Sequence, residues 1–121
     1  MKPSYTYLAT VKRVVDGDTL DLVIDLGFTV QVVVRARLAD IDTPETYGVP
    51  HASDEYAAGL RAKEYVEQWC SDFDDRVLVK TDKGTGKFGR WLATVYAPNG
   101  EGPSLNTQLI SEKLATPYYS K

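Results

Sequence analysis

Ten residues, Arg37-Leu38-Ala39-Asp40-Ile41-Asp42-Thr43-Pro44-Glu45-Thr46, concentrate the chemistry of this chain. An alternating run of strand residues ends there, and an arginine, two aspartates and a glutamate then stand around a proline. Pro44 fixes its own φ, offers no N–H and drives Thr43 into an extended conformation. The expected product is a stiff corner from which Asp42 and Glu45 converge on one point. Carboxylate oxygens so placed suit a hard divalent cation.

The elements that must hold this corner are legible from periodicity. Tyr5 to Val15 is rich in β-branched and aromatic residues and reads as a strand, and Asp16-Gly17 signals a tight turn. From Thr19 to Leu26, Leu20, Leu22, Ile24 and Leu26 share one face, and Thr19, Asp21 and Asp25 the other. Gly27 punctuates. Val30, Val32, Val34, Ala36 and Leu38 then alternate with Gln31, Arg35 and Arg37, which completes a meander with one buried face. Period two leaves Arg37 on the face away from the aliphatic core, where it can reach a ligand.

Past the corner, residues 47–52 read as a loop, and Ser53 as the N-cap of a helix that has Asp54 and Glu55 in its first turn. Ala58, Ala62, Tyr65, Val66 and Trp69 recur at helical spacing as its packing stripe. A short strand is expected over Arg76–Lys80, a loop over Thr81–Arg90 with Gly84, Gly86 and Gly89 among Lys83, Lys87 and Arg90, and a fifth strand over Trp91–Tyr96. Ser104 opens a second helix to about Lys113 with Leu105, Leu109 and Ile110 inward, and the tail from Ala115 reads as irregular. Five strands with a helix between the third and fourth is the order of an OB-type barrel. The fold class is therefore β-rich α+β, a five-stranded OB-type Greek-key barrel with two helices, or three.

Length and composition narrow the rest. A chain of 121 residues is one domain by size, residues 1–121, and 43% apolar with 26% charged residues is ordinary globular composition. No apolar run approaches the roughly 20 residues of a membrane span. Nothing in Met1-Lys2-Pro3-Ser4-Tyr5 resembles a signal-peptide core, so a cytoplasmic location is expected over a secreted one. Cys70 is the one cysteine, which removes an internal disulfide and a thiolate cluster; a helix residue near the core is expected there. His51, the one histidine, reads as a surface loop residue. A net charge of −3 is unusual for a non-specific nucleic-acid binder, so phosphate binding would rest on local cations.

Three segments carry a resemblance. Asp16-Gly17-Asp18-Thr19, then Arg37 to Glu45, then Lys87-Phe88-Gly89-Arg90 resemble the signature segments of the staphylococcal nuclease (thermonuclease) family, in the family's order and at compatible spacing. The resemblance implies a Ca²⁺ site made by the carboxylates of Asp18 and Asp42 and the backbone carbonyl of Thr43, with Mg²⁺ or Mn²⁺ as open alternatives. It implies Glu45 as the residue that positions or deprotonates the attacking water. A carboxylate beside a cation has a low pKa, so orientation outweighs proton removal. Arg37 and Arg90 resemble the pair that clamps the scissile phosphate, a task suited to the planar guanidinium fork. Lys87, Phe88 and Tyr119 fall where the family contacts substrate. Phe88 replaces a frequent tyrosine and can stack but not donate to phosphate. For single residues the plainer readings are turn chemistry for Asp16 and Asp18, a solvated loop acid for Glu45, a solvated lysine for Lys87 and a surface ion pair for Arg35; Asp40 has no assigned role.

The implied activity is hydrolysis of phosphodiester bonds in DNA or RNA with little sequence specificity, by a monomer that prefers single strands and leaves a 3′-phosphate. The chain stops at Lys121, short of a further helix in longer members, so weaker substrate binding than in a basic relative is expected. The alternative is a catalytically weak or silent single-stranded nucleic-acid-binding module of the same fold. A structural calcium site ranks below both.

Overall fold

A computed structural model of the chain describes residues 1–85 and 91–118. Lys87, Phe88, Arg90 and Tyr119, all singled out above, lie outside the described residues. The strands are β1 (Thr6–Asp16), β2 (Thr19–Asp25), β3 (Gln31–Leu38), β4 (Ile41–Asp42), β5 (Arg76–Thr85), β6 (Trp91–Tyr96) and β7 (Thr116–Pro117). Two helices are described, α1 (Asp54–Asp72) and α2 (Leu105–Ser111). β1, β2, β3, β6 and β5 pair in that order, and β5 returns to β1 to close the barrel. The expected OB-type barrel with a helix between its third and fourth barrel strands is what the chain forms.

Period-two patterning closes the barrel. Leu20, Leu22, Leu38, Val77, Val79 and Val95 are fully buried and point inward from four strands. Burying each such side chain contributes roughly 1.5–3 kcal/mol. The α1 stripe of Gly59, Ala62, Val66, Trp69 and Cys70 seals one side. Ser53 caps α1 as expected, its hydroxyl accepting from the Tyr56 N–H at 3.1 Å. Cys70 is a fully buried core residue, and burial pushes its thiol up to about 12. Ser104 caps α2, whose Leu105 and Leu109 complete the core. No described helix is long and apolar enough to cross a membrane.

Three local expectations need correction. Thr81–Thr85 continues β5 instead of forming a loop: cross-strand pairing with β6, from Thr81↔Ala93 to Thr85↔Trp91 with a register shift between, overrides the turn residues there. The tail is not irregular from Ala115, because Thr116–Pro117 forms β7 and pairs with β4 (Ile41↔Pro117, Asp42↔Thr116). The apolar face of β3 is buried only from Ala36 onward; Val30 and Val32 are exposed. The β2–β3 hairpin outruns the barrel, and Phe28 at its tip is 97% exposed.

Candidate active site

The Asp16–Thr19 turn, the end of β3 and the corner after it meet at one place. Asp16 pairs with Thr19, so Gly17 and Asp18 form the two-residue connection between β1 and β2. Gly17 is required there: a Cβ would come within 2.8 Å of Ala62 Cβ and 3.1 Å of the Thr43 side chain. The Leu38 N–H donates to the Asp18 carbonyl at 2.8 Å, tying the turn to the end of β3. Asp18 is only 6% exposed. Its carboxylate accepts from the Thr19 hydroxyl at 3.0 Å and from the Thr43 N–H at 3.2 Å. Turn chemistry alone would not bury a carboxylate in this way.

The chain reverses after β3 through Asp40, whose φ of +64° is left-handed, a conformation that aspartate tolerates better than most residues. The Asp40 carbonyl accepts from the Tyr118 N–H at 2.8 Å. Asp40 therefore shapes the corner and docks the tail, a role its sequence context did not reveal. Asp42 follows on β4. Arg37 Nη2 lies 3.1 Å from Asp42 Oδ1 and 3.7 Å from Asp18 Oδ2, and it donates to the Ile41 carbonyl at 3.0 Å. The face of Tyr118 packs against the guanidinium with 5.1 Å from Arg37 Cζ to the ring centroid.

Glu45 joins this group. Although Glu45 is exposed, partial desolvation pushes its carboxyl above the usual range, followed by the charges of Asp18, Asp16 and Asp42; Arg37 opposes them. The protein's own groups thus act opposite to the lowering that a neighbouring cation would bring. Asp16 does serve the local structure, accepting from the Thr46 hydroxyl across the corner. Of the expected site residues, Asp18, Arg37, Asp42, Thr43 and Glu45 come together. Arg90 lies outside the described residues, although Trp91 beside it pairs with Ala36, one residue from Arg37. Arg35 forms the ion pair expected of it, Nε to Asp21 Oδ1 at 2.7 Å.

A cleft of about 400 Å³ opens beside the corner, lined by Asp42, Thr43, Glu45, Glu55, Lys113 and Thr116. Glu55, Lys113 and Tyr118 are the site neighbours that sequence reasoning missed. The turn after α2 brings Lys113 there and the fold of the tail brings Tyr118, and no local signal marks either. The residues fit a divalent cation on two grounds. The carboxylates of Asp18 and Asp42 outnumber Arg37, the described cation that contacts both, and hard oxygen donors predominate, although the described residues bring no three carboxylates together as a ready-made ligand cluster. The Thr43 hydroxyl is also buried with no hydrogen-bond partner among the described residues, beside the backbone proposed as a ligand.

Asn106 fixes the corner from below. Buried in α2, it accepts from the Val95 N–H at 3.1 Å and donates to the carbonyls of Ala39 at 3.0 Å and Ala93 at 3.1 Å. Asn106→Ala takes this partner from the Val95 N–H and the Ala39 carbonyl, each orphaned group costing about 1–3 kcal/mol, while the Ala93 carbonyl still accepts from the Ala39 N–H at 2.8 Å. We expect it to destabilise the fold by about 3–5 kcal/mol, read as a lower denaturant midpoint; a midpoint like that of the unsubstituted protein would refute this bridge.

A five-stranded OB-type barrel with carboxylates and an arginine gathered at one corner defines a nuclease-like domain. Residues 35–121 match the family described as staphylococcal nuclease homologue. The chain is similar to Micrococcal nuclease of Shigella flexneri, 36% identical over 101 residues that cover 84% of this chain and 48% of that protein. It is similar to Endonuclease YhcR of Bacillus subtilis (strain 168), 32% identical over 117 residues, 93% of this chain and 9% of that one. It is also similar to Protein ParB of Escherichia coli, 37% identical over 86 residues, 71% of this chain and 40% of the other. The chain belongs to the staphylococcal nuclease family. It spans less than half the length of each of these relatives.

Proposed function

We propose that this chain hydrolyses phosphodiester bonds of DNA or RNA with little sequence specificity, as a Ca²⁺-dependent monomer that prefers single strands. The observation that carries this reading is the sharing of one Arg37 nitrogen by Asp18 and Asp42, which puts a phosphate-binding guanidinium beside two hard carboxylates. Asp18 and Asp42, with the Thr43 carbonyl, would hold the cation. Bound there, it would polarise a phosphoryl oxygen and make a bound water more acidic.

The chain's own residues supply the rest. Arg37, together with Arg90, offers charged donors to the non-bridging oxygens as negative charge grows on them. Arg37 is pre-positioned by Ile41 and Tyr118, so little reorganisation accompanies that contact. Glu45 orients the water and accepts its proton. Contacts of this kind read phosphate rather than base edges, hence the slight specificity.

The test is cleavage of single-stranded DNA with Ca²⁺, Mg²⁺, Mn²⁺ or chelator, run beside Glu45→Gln. Cleavage is expected with Ca²⁺, its loss in chelator, and a fall of about 10²–10⁴-fold in the variant. Full activity in excess chelator, or an equal signal from Glu45→Gln, would overturn the proposal. Binding without cleavage in every metal would identify the catalytically silent binder instead.

A further inference from the structure

On the far side of the Pro44–Thr46 wall lies a second groove of about 490 Å³, separate from the cleft at the carboxylates. Its floor carries Arg13 and Arg35 from the outer barrel face, and α1 contributes Lys63. Its rim carries Tyr47, 89% exposed, and the His51–Tyr56 pair, stacked with ring centroids 4.4 Å apart. Two features make this a built surface. The pairings Arg13↔Asp21 and Asp21↔Arg35 place these three side chains in one row across β1, β2 and β3. The bulges of β1 on either side of Arg13 and Val14 re-aim its side chains next to the corner.

The row has a definite relation to the candidate active site. Arg35 stands two residues before Arg37 on the same outer face, a rise of about 6.6 Å along the strand, comparable to the step between successive phosphates of an extended strand. Arg13 is two strands further, about 9.6 Å across the sheet. Lys63 follows on the helix. Cations thus lead from Arg37 into the groove. Asp21 neutralises part of Arg35, but among the described residues Arg13 and Lys63 have no carboxylate within ion-pair distance. Asp16 also lines the groove and accepts from the Thr46 hydroxyl, so the lining sets three cationic side chains against this one carboxylate. In a chain of net charge −3, this concentration of cations beside the exposed Tyr47 and His51 and the half-buried Tyr56 is local.

We propose that this groove holds the single-stranded nucleic acid running on from the scissile bond, with Arg35, Arg13 and Lys63 along its phosphates and Tyr47 and the His51–Tyr56 stack under its bases. The proposal rests on the nuclease reading above and extends it to a surface that the chemistry itself does not use. A positive track with sequence-tolerant aromatic platforms is how proteins hold single strands without reading them. Compensation for the acidic chain as a whole would come from this face.

The experiment compares a non-hydrolysable phosphorothioate dodecanucleotide with a dinucleotide, using the whole chain and the double variant Arg13→Glu/Lys63→Glu. Lys2→Glu/Lys80→Glu, with the same net charge, controls for the overall field. We expect the groove variant to bind the dodecanucleotide at least about tenfold more weakly, with the salt slope reduced by about 1.4 for two lost phosphates. The ratio of dodecanucleotide to dinucleotide affinity should fall with it, and the control should change both less than threefold. Tyr47→Ala should weaken the long strand about fivefold or more and Tyr47→Trp should restore it, as stacking requires. Equal losses for both ligands, or equal losses in the control, would overturn the groove. So would failure of the unsubstituted chain to bind any strand, which would also remove the nuclease reading; normal cleavage with an unaffected groove variant removes the groove alone.

Discussion

Arg37→Lys is expected to lower turnover on single-stranded DNA by about 10²–10³-fold, the usual cost of removing one donor aimed at developing charge. Charge is conserved in this change, so a site needing only positive potential would barely respond. The guanidinium, however, is held by three oxygens: the Ile41 carbonyl and the carboxylates of Asp42 and Asp18 at 3.0, 3.1 and 3.7 Å, under the ring of Tyr118. A lysine ammonium cannot keep a planar fork free for phosphate while meeting these partners from one end. Stability should change little, since the ammonium still faces both carboxylates. Arg37→Ala should behave differently, because it leaves the buried Asp18 carboxylate without its cation and destabilises the fold as well. Turnover within threefold of the unsubstituted protein, at matched thermal midpoints, would take Arg37 out of the chemistry.

Much of this arrangement was legible in the sequence, for a physical reason. Period-two alternation in β2 and the second half of β3 specifies which face is buried, and with it the side on which Arg37 emerges. Pro44 and the Asp16–Thr19 turn are punctuated by residues with strong local preferences, so the corner and the turn could be placed without tertiary information. What escaped depends on contacts between distant segments. β7 has two residues, one of them a proline, and no pattern of its own; it exists because β4 offers an edge, and it brings Tyr118 to Arg37. Tyr119, expected to contact substrate, lies outside the described residues. Asn106 is an ordinary polar letter in an apolar helix until the carbonyls of Ala39 and Ala93 stand beside it. Val30 and Val32 alternate correctly but sit where the hairpin has left the barrel, so pattern gave their direction and not their burial. The groove of Arg13, Arg35 and Lys63 was equally hidden, since three elements contribute one cation each.

Gly59→Ala should stabilise an ordinary helix by roughly 1 kcal/mol, because glycine in a helix interior sacrifices backbone entropy. Here the opposite is expected, with a loss of activity out of proportion to any loss of stability. A Cβ at Gly59 would lie 2.7 Å from the Pro44 carbonyl oxygen, 3.0 Å from that of Glu45 and 2.7 Å from Thr46 Cγ2. Two of these atoms are backbone, so they cannot swing aside as a side-chain tip would. Either α1 or the corner must shift. α1 is anchored by Ala62, Val66, Trp69 and Cys70 in the core, whereas residues 44–46 lie at the surface on a loop. The corner is therefore the part that moves, and it carries Glu45. Displacing a positioned catalytic group by about 1 Å can cost about 10²-fold in rate. We expect Gly59→Ala to remain folded with a somewhat lowered thermal midpoint while cleavage falls at least about tenfold. Gly102→Ala, where φ is +81° and a Cβ meets nothing, is the contrast: strained, yet with cleavage retained. Should Gly59→Ala be both more stable and fully active, the close approach of α1 to the corner would not be what holds Glu45 in place.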